Sequence, residues 1–249
     1  MIEFDQVYRS YGDKLAVEGL NLRVAAGELY SLLGHNGAGK TTSIKMLVGL
    51  LRPESGTVRV GGYDVVQQTR LAAALVGYVP DQPYLYDKLS GREFLQFVTQ
   101  MHGLEGDHAT RAIDREIERF ELSEFVDELT ESYSHGMKQR TVFASAMLNS
   151  PRLLVLDEPL IGLDPHSIRL VKDLLRTETR KGMCVFMSTH TLAAAEEISD
   201  RIGIMTRGRL MFDGSIDELR SQFTGGERSL ESMYLAMTEP QPNATPPGS

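Results

Sequence analysis

The sequence has one cysteine among its 249 residues, Cys184, so no disulfide can form within the chain. A chain without internal disulfides fits a reducing compartment such as the cytosol. Cys184 lies in the apolar stretch 183–187, which predicts a buried and chemically inert core residue. The cysteine content therefore predicts a cytosolic protein whose single thiol is structural.

Long hydrophobic runs are also missing. No uninterrupted apolar stretch approaches the ~18 residues that a membrane-spanning helix needs. Residues 1–14 lack the basic-then-apolar layout of a signal peptide. The formal net charge is −8 and basic residues are scattered, which argues against nucleic acid as the main partner. These features predict a soluble protein, and 249 residues suffice for one large α/β domain with a subdomain.

The most informative feature that is present is the segment 34–42, which reads GHNGAGKTT. It meets the pattern G-x-x-x-x-G-K-[ST], whose backbone N–H groups surround a polyphosphate while the glycines leave room for it. Lys40 is expected to reach the β- and γ-phosphates, and the Thr41 hydroxyl is expected to bind Mg²⁺. The loop therefore predicts a site for a nucleoside triphosphate. The residues expected to bind it here are Gly34, Asn36, Gly37, Ala38, Gly39, Lys40, Thr41 and Thr42.

The residues on either side of this loop support the same interpretation. The apolar run 29–33 predicts a buried strand, and residues 43–51 have apolar residues at helical spacing, ended by Pro53. A strand, a glycine loop and a helix place the phosphates at a helix N-terminus, where the free N–H groups favour anions.

The rest of the chain predicts an α/β fold. Strands are expected at 2–8, 15–24, 56–60, 76–79, 153–156, 184–188, 201–205 and 209–212, and helices at 92–101, 109–120, 137–148 and 216–222. We therefore expect a P-loop NTPase core, a mostly parallel sheet flanked by helices, with an N-terminal antiparallel β-subdomain. A helical subdomain, about 84–150, is inserted in this domain of residues 1–238, and the proline-rich tail 239–249 is expected to be disordered.

A pair of carboxylates follows a second apolar strand. Residues 153–158 read LLVLDE, so Asp157 and Glu158 stand at the C-terminal end of that strand, where ligands bind in open α/β sheets. Asp157 is placed to hold Mg²⁺ opposite Thr41, directly or through water. Glu158 is a candidate for orienting or deprotonating the attacking water. The alternative for this pair is a solvated acidic end to a strand.

Four further features resemble motifs of the ATP-binding cassette (ABC) ATPases. Residues 133–140, YSHGMKQR, resemble the signature segment of that family and likewise precede the carboxylate strand. Residues 161–165, IGLDP, resemble the D-loop, and residues 188–190, STH, resemble the switch-histidine segment. Tyr11 resembles the aromatic that stacks on the nucleobase. With the phosphate loop and the acidic pair, the resemblance covers about residues 2–222.

The resemblance implies a role for each of these residues. Ser134 and Gly136 would bind the γ-phosphate of the ATP held by another subunit, so that a head-to-tail dimer sandwiches two ATP molecules. His190 would contact the γ-phosphate of its own chain's ATP. Tyr11 would stack on the base without reading its edges, which predicts modest selectivity for ATP over GTP. From the residues alone, a helix cap at Ser134, a core histidine at His190 and simple packing of Tyr11 are alternatives, and the dimer partner could be identical or related.

The sequence departs from the family pattern at three places. The D-loop begins with residues 160–162, LIG, rather than with small polar residues. His135 replaces the usual second glycine of the signature. Residues 79–82 read VPDQ where the family has a glutamine linked to Mg²⁺, so Gln82 is a candidate metal ligand and Asp81, which occupies the expected place, is the alternative. Three features together resemble the ATPase subunits of ABC-2-type exporters: His135, Met137 and the C-terminal segment 230–238.

The function that the resemblance implies is ATP hydrolysis that powers export through a separate membrane permease, from the cytoplasmic, inner face of the cell membrane. Residues 81–90 would grip the permease, with Tyr84, Leu85 and Tyr86 as an apolar socket unless these side chains belong to the core. An importer ATPase is the nearest alternative. A non-transport ABC ATPase usually carries a coiled-coil insertion, zinc-binding cysteines or a second cassette, and a GTPase needs an N-K-x-D segment.

Overall fold

A computed structural model describes residues 1–223 and 229–238 of the chain. The strands in this part are β1 (Ile2–Tyr11), β2 (Lys14–Val24), β3 (Leu29–Leu33), β4 (Ser55–Val60), β5 (Tyr63–Asp64), β6 (Val76–Val79), β7 (Leu153–Asp157), β8 (Cys184–Thr189), β9 (Arg201–Thr206) and β10 (Arg209–Gly214). The helices are α1 (Lys40–Leu47), α2 (Thr69–Ala73), α3 (Gly91–Met101), α4 (Gly106–Arg119), α5 (His135–Met147), α6 (Pro165–Arg180), α7 (Leu192–Ile198), α8 (Ile216–Gln222) and α9 (Leu230–Thr238), with a 3₁₀ turn at Thr130–Ser132.

The larger sheet has the strand order β10-β9-β3-β8-β7-β6. Its pairs from β9 to β6 are parallel, and β10 joins β9 in an antiparallel hairpin. The strands β3, β7 and β8 are buried along their whole length, because elements cover both faces of the sheet. The carboxyl ends of these strands therefore meet at one edge, where the phosphate loop and the acidic pair begin.

The smaller sheet is antiparallel, with the strand order β2-β1-β4-β5. The β1–β2 hairpin turns at Gly12 and Asp13 and pairs Tyr11 with Lys14. One face packs against α1 and the larger sheet through a shared apolar cluster that includes Phe4, Val58 and Ile44. This packing brings the β1–β2 turn beside the phosphate loop.

The segment between β6 and β7 is helical, as the sequence predicts. Ser90 begins α3 with a capping box, accepting from the Glu93 N–H while the Glu93 carboxylate accepts from the Ser90 N–H. Apolar faces of α3, α4 and α5 form a cluster around Phe120 and Phe143, whose rings stack 5.9 Å apart. The same cluster continues onto β7, which ties the helices to the strand that carries Asp157.

The helix after the phosphate loop differs from the expected residues 43–51. Helix α1 begins at Lys40, because the loop residues Lys40–Thr42 form its first turn, and it ends at Leu47. The N–H groups of Leu50 and Leu51 turn back to the Lys45 carbonyl, which closes the helix before Pro53 is reached. The sequence also did not indicate α2, α6, α7 or α9, and the tail predicted at 239–249 lies outside the described residues.

Cys184 is fully buried, as predicted, and burial raises the pKa of its thiol to about 12. Within the described residues, none of the helices has both the length and the apolar character that crossing a membrane requires.

Candidate nucleotide site

The phosphate loop connects the buried strand β3 to α1. The Lys40 side chain is only 6% exposed, and its ammonium donates to the Gly34 carbonyl at 2.6 Å and to the His35 carbonyl at 3.4 Å. Gly39 precedes the helix at φ +113°, and a Cβ there would meet the Ala16 carbonyl oxygen. The loop therefore closes around its own lysine and holds the Lys40 ammonium at the start of α1.

Asp157 ends β7 beside this loop and is 2% exposed. Its Oδ1 accepts from the Ser188 hydroxyl at 2.5 Å and from the Thr41 hydroxyl at 3.4 Å. Burial raises the pKa of this carboxyl, and the two hydroxyl donors only partly oppose that shift. The charges of Asp81 and Glu158 raise the pKa further, so several carboxylates converge on this point.

Glu158 follows in a left-handed backbone conformation, with φ at +48°. Such a conformation costs a non-glycine residue about 1–2 kcal/mol and is found mostly where function requires it. The Glu158 N–H donates to Ser188, and the turn aims the side chain back toward the loop. Its Oε1 lies 3.4 Å from the Lys40 ammonium and 3.0 Å from His190 Nδ1, while the His190 N–H donates to Oε2 at 3.2 Å.

Ser188 is a site residue to which the sequence assigned no role. It accepts from the Glu158 N–H and donates to Asp157, and it is fully buried at the end of β8. The sequence feature that could have identified Ser188 is its position two residues before His190 in the STH segment. Ser188 joins the ends of β7 and β8 and so orients both carboxylates.

Lys40, Thr41 and Glu158 border an open cavity of about 370 Å³, whereas Asp157, Ser188 and His190 are not among the residues that line it. The residues that line it are Tyr11, Lys14, Ala16, His35, Asn36, Gly37, Gly39, Lys40, Thr41, Thr42, Asp81 and Glu158. Tyr11 is 49% exposed, with the Arg9 guanidinium 5.4 Å from its ring centre. Asp81 lines the cavity, whereas the neighbouring Gln82 is exposed and outside the lining.

The comparisons with known proteins agree with this arrangement. The family model described as ABC transporter matches residues 17–161. The chain belongs to the ABC transporter family. It contains the family's ATP-binding cassette and is an ATP-hydrolysing enzyme.

Two relatives and one structure illustrate this likeness. The daunorubicin resistance ATP-binding protein DrrA3 of Streptomyces coeruleorubidus is 37% identical over 91% of this chain and 72% of its own length. The Nod factor export ATP-binding protein I of Paraburkholderia xenovorans is 36% identical over 86% of this chain and 70% of its own. A solved structure of an ATP-binding subunit of an ABC transporter is 31% identical, with a TM-score of 0.90, and the match covers 96% of this chain and 100% of that one.

The signature segment of this ABC cassette lies outside the cavity. Ser134 caps α5, and its hydroxyl accepts from the Met137 N–H at 3.3 Å. Neither Ser134 nor Gly136 is among the residues that line the nucleotide cavity. One chain therefore brings Lys40 and the acidic pair together but leaves the signature at a separate, exposed surface.

Residues 84–86 divide between the core and the surface. Leu85 is buried at 4% exposure, whereas Tyr84 and Tyr86 are 74% and 46% exposed. The Tyr86 ring packs edge-on against both Tyr84 and Phe97, and Phe97 is itself 38% exposed. We call Tyr84, Tyr86 and Phe97 the aromatic cluster; it is a sizeable exposed apolar surface on the helical segment.

Helix α9, which the sequence did not indicate, packs beneath the phosphate loop. Leu230 and Met233 are buried in a cluster with Leu33, the last residue of β3 before the loop. Burial raises the pKa of the Tyr234 phenol, and a hydrogen bond with the His35 backbone opposes that shift. The C-terminal helix therefore contacts the loop that holds Lys40.

The residues around Asp157 fit a magnesium ion. Mg²⁺ is usually held by one or two protein oxygens together with substrate phosphates, and the Thr41 hydroxyl and Asp157 carboxylate already lie in contact. Among the described residues, no group of three or more His, Cys, Asp or Glu side chains is arranged as a complete metal cage. This chain therefore offers the partial ligand set that a nucleotide-bound Mg²⁺ needs.

Proposed function

We propose that this chain drives export of a substrate through a separate membrane permease by binding and hydrolysing ATP at the cavity around Lys40. The observation that carries the proposal is the Glu158 carboxylate, which lies between the Lys40 ammonium and the His190 ring. The relatives named for drug resistance and for Nod factor export support the export direction.

The residues in and beside the cavity divide the work of phosphoryl transfer. Lys40 and the loop N–H groups hold the β- and γ-phosphates, and Tyr11 stacks on the base. Glu158 orients or deprotonates the attacking water, and His190 stabilises charge on the γ-phosphate. Thr41 and Asp157 would hold Mg²⁺, which neutralises phosphate charge when bound, and Asp81 is better placed than Gln82 to act with them.

The exposed signature surface supports a dimer in which each chain completes the other's site. The start of α5 has free N–H groups and a Ser134 hydroxyl, which together suit an anion. Ser134 and Gly136 of one chain would meet the γ-phosphate held by Lys40 of the other. ATP would then close the dimer, and hydrolysis would remove the bridging phosphate and reopen it.

The aromatic cluster is the surface on which we place the permease. Tyr84, Tyr86 and Phe97 project from residues 84–150, the part we propose to act as an inserted helical subdomain of a domain spanning 1–238. Exposed aromatics of this kind are enriched in protein interfaces. Docking there would hold the chain at the inner face of the membrane.

Replacing Glu158 by Gln tests the proposal. The amide cannot accept the proton of water, so steady-state ATP hydrolysis is expected to fall by roughly 10²–10⁴-fold. ATP affinity, measured with a fluorescent analogue, is expected to stay within about twofold because the phosphate loop is unchanged. Glu124→Gln, on the exposed surface of the helical segment, is the matched control. Brisk hydrolysis by Glu158→Gln would overturn the assignment.

A further inference from the structure

His135, which replaces a glycine in the signature, makes a contact that the nucleotide chemistry above does not use. It is the first residue of α5, directly after the Ser134 cap. Its ring nitrogen Nε2 lies 3.2 Å from the carbonyl oxygen of Ile161. Ile161 belongs to the loop that leaves the acidic pair, so this histidine joins the signature helix to that loop.

The loop is shaped to receive the ring. Gly162 takes φ +72°, a left-handed conformation that favours glycine. A Cβ at Gly162 would lie 2.9 Å from His135 Cδ2 and 3.0 Å from Nε2. The histidine ring therefore rests on the one residue of the loop that has no side chain to displace it.

The neighbouring contacts hold the same loop from both ends. The buried Gln139 side chain, one turn along α5, donates to the Pro159 carbonyl at 3.5 Å. At the other end, Asp164 caps α6 by accepting from the N–H groups of His166 and Ser167. Between them the Ile161 N–H donates back to the Glu158 carbonyl at 3.4 Å. The Ile161 backbone is therefore bonded on one side to His135 and on the other to the residue that carries the catalytic carboxylate.

We propose that His135 is a positioning residue for Glu158 of its own chain, acting through an Nε2–H donated to the Ile161 carbonyl. The adjacent Ser134 faces the ATP of the partner chain, so the start of α5 contacts both nucleotide sites of the dimer. A γ-phosphate bound at Ser134 in one site is thereby coupled to the water-activating carboxylate in the other. This inference rests on the proposed role of Glu158.

Two substitutions separate the hydrogen bond from mere occupancy of the space. His135→Leu keeps an apolar side chain over Gly162 and removes the donor, whereas His135→Gln keeps an N–H that can reach Ile161. Because His135 is exposed, both variants are expected to fold, which a melting curve checks. Hydrogen–deuterium exchange of the amides of residues 160–163, measured on the chain without nucleotide, reports the loop directly.

Loss of the donor is expected to speed exchange of the Ile161 amide about fivefold and to lower kcat by roughly threefold to tenfold, with KM for ATP unchanged. His135→Gln is expected to restore most of both. Wild-type exchange and kcat in His135→Leu, a rise in KM with kcat intact, or failure of the glutamine to rescue would each overturn the proposal. Glu158→Gln tests the underlying function separately: if it abolishes turnover while His135→Leu does not alter it, only the link between loop and signature fails.

Discussion

The phosphate-loop edge and the signature segment differ in how much of each site one chain builds. At the loop, Lys40 and Asp157 are 6% and 2% exposed, and their charged groups already contact polar side chains. At the signature, Ser134 and His135 are exposed, and the Ser134 hydroxyl accepts a backbone hydrogen bond. The first half-site is preorganised, and the second needs a surface from another molecule to exclude water.

This difference assigns separate tasks to the two half-sites. Charges held away from water act strongly and need little reorganisation when substrate arrives, which suits binding and chemistry at the loop. A helix start that faces solvent gains strength only when a second surface covers it. Changes at the loop should therefore impair ATP binding by a single chain, whereas changes at the signature should impair only the assembled pair.

Among the changes that compare the two half-sites, replacing Lys40 by Ala should have the largest effect. It removes the ammonium that contacts Glu158 and is expected to reach the phosphates, so hydrolysis should fall by roughly 10²–10³-fold. ATP affinity of the isolated chain should fall as well, which titration with a fluorescent analogue would measure. Lys45→Ala, an exposed position on the same helix, should leave both unchanged. Unaltered affinity in Lys40→Ala would show that the preorganised half-site is not where ATP binds.

Much of the loop edge could be read from the sequence, because its elements are local. The segment 34–42 and the pair Asp157 and Glu158 each follow an apolar run, and parallel strands bring such ends together. The burial of Cys184 and the strands β9 and β10 followed from short-range patterns in the same way. The sequence therefore predicts that the residues around Lys40 lie together.

The contacts that the sequence could not indicate are those between distant segments. Ser188 touches both carboxylates only because β8 lies beside β7 in the sheet. His135 and Ile161 are too far apart in the sequence for helical or strand periodicity to indicate their contact. Tyr234, in α9, likewise contacts the phosphate loop from a distant part of the chain. The choice between Asp81 and Gln82 also depended on which side chain the turn after β6 directs into the cavity.

Replacing Ser134 by Ala should impair hydrolysis through the exposed half-site alone. The hydroxyl would contact a charged phosphate across the dimer, and losing it should lower hydrolysis by roughly 10-fold to 100-fold. Binding of ATP to a single chain should not change. Ser215→Ala is the matched control, since Ser215 also caps a helix and its loss should cost a similar ~1 kcal/mol of stability. Equal hydrolysis in the two variants would mean that Ser134 acts only as a helix cap.

The smallest expected effect is on the stability of the nucleotide-free chain when Asp157 is replaced by Asn. It measures how much the buried carboxylate destabilises the fold. Burial raises the pKa of this carboxyl above its ordinary value of 3.8, so its ionised form destabilises the folded chain at neutral pH. The nucleotide-free Asn variant should therefore melt a few degrees higher than wild type at pH 7 to 8.

The Asn variant should not become less stable than wild type at any pH, but the difference in melting temperature between them should close in acid. Below the ordinary pKa of 3.8 the carboxyl is protonated in both folded and unfolded chains, and the destabilisation disappears. Melting curves from pH 8 down to the carboxyl range would follow this, with Asp5→Asn, at an exposed position of β1, as the surface control. Added MgATP should stabilise wild type more than Asp157→Asn, since the neutral amide holds the cation less strongly than the carboxylate does. A variant that gains stability from MgATP as wild type does would mean that Asp157 is buried without a metal to hold.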